Sequence, residues 1–232
     1  MKFFPGIILT SVTVFFILNC STTIDYAKKY PDMAANADPV SAGTAEAEFD
    51  RLFSSKLDKT EIEVVFYPRL NAVALEFKYE LIRCRQFWNE AARRQFAAAL
   101  EIYKADYAAQ NLKNQYKKTR AVYGKVKGRT EWETFKYGKT RVAYPDIELG
   151  YRFAGETPFF TTFMQSAKQE NDNTDDSQQL NSQQINMYFT RAQADNLVKL
   201  FDQSYLMALL EKNDSLKPDK PLVIDSYREF GD

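Results

Sequence analysis

What most restricts the fold of this chain is a switch in the spacing of its apolar residues near position 86. From Ala72 to about Ile82 the pattern alternates: Val73, Leu75, Phe77, Tyr79 and Leu81 fall on one face, Glu76, Lys78 and Glu80 on the other. A period of two is a strand with one buried and one wet face. From Gln86 the spacing lengthens, and Trp88, Ala92, Phe96, Ala99, Leu100, Tyr103 and Tyr107 recur three and four apart through an alanine-rich run ending near Leu112. That is an amphipathic helix, with Glu90 and Arg94 four apart on its solvated side. A helix with so aromatic a stripe, following directly on a half-buried strand, packs on a sheet.

The rest of the chain supplies that sheet. Residues 61–67 read as a strand turning at 68–71 into the one described. Residues 121–126, 130–135, 147–153 and 158–164 follow as strands, punctuated by Gly124, Gly128, Gly138, Gly150, Gly155, Pro145 and Pro158 in the manner of a meander. Ile147, Leu149, Tyr151 and Phe153 alternate with polar residues, whereas Phe159 and Phe163 oppose Phe160 and Met164, so the latter strand needs cover on both faces. A short strand at 185–189 leads into a helix capped by Thr190, with Gln193 completing a capping box and Leu197, Val198, Phe201, Tyr205, Ala208 and Leu209 facing inward. Residues 45–57 read as a short helix and 222–224 as an edge strand. The order predicts an α+β fold: an antiparallel sheet of about six strands with two main helices packed on it.

Composition supports a packed core, 45% of residues being hydrophobic and 15% aromatic. The net charge is zero, but residues 78–141 hold 16 Lys/Arg against 6 Asp/Glu, and residues 142–232 hold 8 against 15. A basic middle and an acidic C-terminal part either complement each other within one fold or mark an anion-binding face. The basic excess centres on residues 113–141, which carry ten Lys/Arg against Glu131 and Glu133 alone, with aromatic rings interleaved. Lys125, Lys127, Arg129, Trp132, Lys136, Tyr137 and Lys139 are therefore the candidate contacts to an anionic lipid headgroup or glycan, cations meeting charge and rings lying at an interface. The competing reading is a hairpin whose rings are core and whose lysines are merely solvated.

Catalytic chemistry finds few footholds. The chain has no histidine, which removes the commonest general base, the usual hydrolase triad and most zinc sites. Residues 124–130 fall one residue short of a phosphate loop and carry arginine where lysine is required. Asn171, Asn173 and Asp175 alternate like calcium ligands, but no glycine or closing glutamate follows. The pairs Glu61/Glu63 and Glu131/Glu133 each share a strand face; if buried in one concavity they would suit a carboxylate-dependent enzyme, and otherwise they are solvated. No cofactor or metal is expected. Cys84, without a disulfide partner once Cys20 is assigned as below, reads as a small buried hydrophobe or a free thiol.

The N-terminus gives an address. Lys2 is followed by an uncharged, largely apolar run to Leu18 and then Asn19-Cys20, the charged start and apolar core of a signal peptide. Ile17-Leu18-Asn19-Cys20 resembles a relaxed lipobox of spirochaete type, which implies cleavage before Cys20 and acylation of its thiol. A plain secretory signal is the alternative. The lipobox reading divides the chain into a signal peptide (1–19), a lipidated cysteine with a flexible tether (20–45), and one α+β domain (46–232) with a polar insert at 168–184. It implies a bacterial envelope location, held by lipid at the outer membrane and facing the periplasm or cell surface. The partners expected are the membrane and an anionic lipid or glycan, not nucleic acid. The function predicted is a non-enzymatic binding or structural module, with a carrier of an apolar ligand between helix and sheet as first alternative and a carboxylate-dependent enzyme as second.

Overall fold

The computed structural model describes residues 38–50, 56–114, 121–134, 140–170 and 180–212. Cys20, the segment before it and the expected edge strand at 222–224 lie outside these. The architecture is a large antiparallel sheet with helices, as the alternation of periods predicts, but the sheet is bigger than about six strands. Among the described residues there are ten: β1 (Val40–Phe49), β2 (Asp58–Tyr67), β3 (Ala72–Tyr79), β4 (Ile82–Asn89), β5 (Ala121–Lys127), β6 (Arg129–Thr134), β7 (Thr140–Ala143), β8 (Asp146–Ala154), β9 (Thr157–Met164) and β10 (Ile185–Phe189). Three α-helices accompany them: α1 (Glu90–Ala108), α2 (Arg191–Phe201) and α3 (Gln203–Lys212). No helix among the described residues is long and apolar enough to cross a membrane.

The sheet runs in the order β5-β8-β9-β10-β1-β2-β3-β4-β6-β7. Register explains why consecutive β5 and β6 lie near opposite edges. Lys127 pairs with Asp146, Gly128 N–H donates to Pro145 O at 3.0 Å, and Thr130 pairs with Ala143. The ladder is thus unbroken, and β5-β6 and β7-β8 are the two arms of one long hairpin. Its distal half joins β4 through β6, and its proximal half joins β9 through β8. The sheet therefore curls round on itself into a half-barrel. Where β4 ends and β5 diverges from it, α1 fills the gap: Gln95 lies against Gly124, and Tyr123 Oη donates to Asp106 Oδ2 at 2.7 Å. The helix thereby covers the edge that β5 would otherwise expose.

Local chemistry fixes these elements. Asn89 caps α1, its Oδ1 accepting from Ala92 N at 2.8 Å. Thr190 and Gln193 form the capping box of α2. The helix predicted through 209 is two helices, because Asp202 turns extended (ψ 128°) and its carboxylate accepts from Tyr205 N at 2.8 Å to start α3. Arg93, 3% exposed, ties this corner to the sheet by donating to Phe201 O at 2.8 Å, Gln203 Oε1 at 2.7 Å and Asn71 O at 3.2 Å.

Phe96 is the hub of the core. It is fully buried, with ring centroids of Trp88, Phe160, Phe189 and Phe201 between 5.1 and 6.0 Å away, one from each of four other elements. β9 is covered on both faces as expected: Phe160 packs on Phe96 and Tyr103 inside, and Phe159 packs on Tyr188 outside.

Three stretches differ from the sequence reading. The helix expected at 45–57 is not what its described part forms, residues 51–55 lying outside the described residues, and the tether does not reach 45: β1 starts at Val40 and runs to Phe49, with Ala45, Ala47 and Phe49 inward and Glu46 and Glu48 outward. Its alternation was hidden by alanines, which fit an interior crowded by neighbouring aromatics. Trp88 is the last inward residue of β4, not part of α1, and Glu90 is buried beside Asn71, whose Nδ2 donates to it at 3.1 Å. In the polar insert at 168–184, the described residues 168–170 and 180–184 extend the β9–β10 hairpin: Lys168 bridges Asn181, Ser182 is buried, and Glu170 N donates to Val142 O at 2.9 Å.

Candidate functional site

Strand alternation sorts the basic residues of the hairpin. Lys125, Lys127, Arg129, Glu131 and Glu133 turn outward, while Val126, Thr130 and Trp132 turn in. Lys125 and Lys127 are exposed, and acids stand opposite both: Lys125 pairs in register with Glu148 and Lys127 with Asp146, and Lys125 Nζ lies 3.0 Å from Asp146 Oδ2. Two expected contacts are corrected. Trp132 is 4% exposed, because it occupies an inward position opposite Cys84 and closes the core there. Arg129 is 9% exposed, its guanidinium 5.0 Å above the Phe87 ring and bonded to Glu131, so it seals an outer apolar cluster of Ala72, Ala74 and Phe87. Lys136, Tyr137 and Lys139 lie outside the described residues.

A groove of ≈ 600 Å³ runs across the outer face of β2, β3, β4, β6 and β7. Its floor is a cross-strand charge ladder. Glu63 stands opposite Glu76, Glu76 opposite Arg85, and Arg85 opposite Glu131; alongside, Lys78 faces Arg83 and Arg83 faces Glu133. Arg85 ties the first row, with Nε 2.7 Å from Glu76 and Nη1 3.0 Å from Glu131. Burial alone would lower its pKa, but the bonded Glu76 carboxylate outweighs that and holds it above the ordinary value. Tyr67 Oη donates to Glu76 at 3.1 Å, and burial pushes its phenol up to about 12. The groove also gathers both acid pairs, Glu61/Glu63 and Glu131/Glu133. Among the described residues no group of three or more acids, cysteines or histidines could hold a metal ion.

Alternation in β3 and β4 points to these charged faces, but which charge meets which depends on the Glu80–Leu81 turn, and that pairing went unread in the sequence. The turn sets Glu80 at φ 51° and leaves Leu81 77% exposed at the tip, not on the buried face its spacing suggested.

Inside the sheet, Cys84 is the small buried residue expected. Burial pushes its thiol up to about 12, against a weak contact with Thr130 Oγ1 at 3.4 Å. The backbone of residues 124–130 is largely committed to pairing with β8 and Pro145, leaving no phosphate cradle there. The calcium-like alternation at 171–175 lies outside the described residues. Phe96 and its neighbours occupy the helix–sheet interface that an apolar ligand would share.

A half-barrel with an aromatic interior and a charged outer groove is the class these features define. The chain belongs to the family described as an uncharacterised Treponema protein, whose model matches residues 40–208, from the first residue of β1 into α3. An uncharacterized protein of Treponema pallidum (strain Nichols) is 24% identical over 194 residues, covering 83% of this chain. The chain spans 65% of the length of that relative. No solved structure matches.

Proposed function

We propose that this chain is a lipoprotein of the bacterial cell envelope, anchored through Cys20 at the outer membrane, whose half-barrel is a non-enzymatic binding module for an anionic lipid or glycan. The observation that carries the binding half is the outer face of the long hairpin, where Lys125 and Lys127 remain exposed on one strand face. The family's description from Treponema is in keeping with a spirochaete-type lipobox. The apolar-carrier reading loses support because Phe96 and the rings around it fill the space between α1 and the sheet.

The anchor has a direct test. Cys20→Ala is expected to abolish acylation, so that the protein incorporates no labelled fatty acid and keeps its leader or leaves the membrane on detergent phase separation. Continued acylation of that variant would remove the lipobox reading.

For binding, the intact protein in neutral detergent micelles is mixed with a fluorescent polyuronate and with vesicles containing anionic lipid. Affinity is expected to fall as salt rises and the Debye length shrinks from roughly 10 to 3 Å. Each cation at such a surface contributes on the order of 1 kcal/mol, so the double reversal Lys125→Glu/Lys127→Glu is expected to weaken binding at least about tenfold. Salt-insensitive binding, or none, would defeat the proposal. The same mixture addresses the second reading, a carboxylate-dependent enzyme, which the gathering of Glu61, Glu63, Glu131 and Glu133 in one groove favours. Binding without turnover leaves the polymer length unchanged; shortening of the polymer, lost in Glu133→Gln, would favour the enzyme.

A further inference from the structure

β7 alternates, with Thr140 and Val142 outward and Arg141 and Ala143 inward. Arg141 stands opposite Trp132, and Trp132 opposite Cys84, farther along β4 from α1 than Trp88. One guanidinium is thus placed inside the end of the half-barrel remote from α1. Arg141 is 7% exposed, and its Nη1 is sealed from solvent with no hydrogen-bond partner. No acid among the described residues forms an ion pair with it. The other buried arginines are engaged, Arg93 with Phe201 O and Gln203, and Arg129 with Glu131.

A cation withdrawn from water is strongly unfavourable unless paired, and an apolar residue of similar volume in its place is often neutral or stabilising. A fold that keeps Arg141 at an inward position, next to a tryptophan, carries a penalty that an oxyanion would remove. Guanidinium also suits that partner, presenting a planar fork to phosphate or carboxylate oxygens. We propose that Arg141 is the recognition group of an interior site at this end of the half-barrel, taking one phosphate or carboxylate group. The site is separate from the outer lysines of the preceding proposal and faces the opposite side of the sheet.

The test uses the full chain in neutral detergent micelles, with Trp132, one of only two tryptophans, as a reporter beside the guanidinium. Inorganic phosphate, hexanoate and dihexanoyl phosphatidylglycerol are added separately. At saturation at least one is expected to raise Tm by about 5 °C and to shift the tryptophan emission. Arg141→Met is expected to lose both responses and, without any probe, to be at least as stable as the wild type. Arg141→Lys, which keeps the charge but not the fork, is expected to retain part of the response. A response to phosphate identifies a free anion, and a response to the lipid alone identifies a headgroup. The inference fails if no probe moves Tm, if Arg141→Met responds like the wild type, or if that variant is markedly less stable without a probe. Polymer binding lost on Lys125→Glu/Lys127→Glu alongside an unchanged phosphate response in Arg141→Met would sink this inference and leave the outer-face proposal standing.

Discussion

Phe96→Ala is expected to destabilise the domain by about 3–5 kcal/mol, seen as a fall in the urea midpoint with an unchanged slope. The ring is fully buried and sits among those of Trp88, Phe160, Phe189 and Phe201, which come from β4, β9, β10 and α2. Truncation removes the transfer free energy of an aromatic side chain and leaves a cavity whose walls belong to four elements, so collapse around it is restricted. Ile102→Ala on the same helix, where the side chain is 46% exposed, is the matched control and is expected to change stability by less than about 1 kcal/mol. Equal effects at the two positions would mean that α1 is not docked by the face described.

Gly150→Ala is expected to disrupt the start of the long hairpin. A methyl group there would lie 1.8 Å from Ala121 O and 2.9 Å from Ala121 C, both backbone atoms, opposite the irregularity between Val122 and Gly124. Nothing at that contact can rotate away, so β5 must separate from β8 or the strand must shift. The loss should lie at or above the upper end of the roughly 1–3 kcal/mol typical of overpacking. Gly128→Ala meets chiefly the flexible end of Ile147, 2.6 Å from Cδ1, and should cost less. Amide exchange of Ala121 and Val122 reads the difference, and unchanged protection in Gly150→Ala would show that β5 does not approach β8 so closely.

The elements that were legible from sequence are those whose spacing is strong and local. β3 alternates without a break from Val73 to Tyr79, and α1 repeats its aromatics three and four apart, so both were identifiable without a partner in view. The capping box at Thr190 and Gln193 needs only four residues and was equally plain. What escaped depended on contacts between distant segments. β1 is built of Ala45 and Ala47 alternating with Glu46 and Glu48, and alanine and glutamate favour helix until neighbouring strands supply a crowded interior. β4 runs into α1 without a spacer, so Trp88 fits either period, and Asn89 as the cap is what decides. The candidate site suffered most, because an interleaved list of cations and rings does not say which face each occupies. One strand period places Lys125 and Lys127 in water, Trp132 in the core, and Arg141 inside.

The strand order also has consequences for the order in which a chain emerging from its N-terminus can fold. β1, β2 and β3 each pair with the strand that follows them, so the unit β1 to β4 can form as soon as residue 89 is available, and the long hairpin pairs within itself. β1 differs, since its other edge takes Tyr188 opposite Glu48 and Met187 opposite Phe49, partners near the end of the described chain. Until those residues arrive, β1 presents an unpaired row of backbone donors and acceptors, the usual template for joining a neighbouring copy. Vectorial synthesis thus holds β1 open until residues 187 and 188 arrive, and its closure by β10 is a non-local pairing of the kind that slows folding.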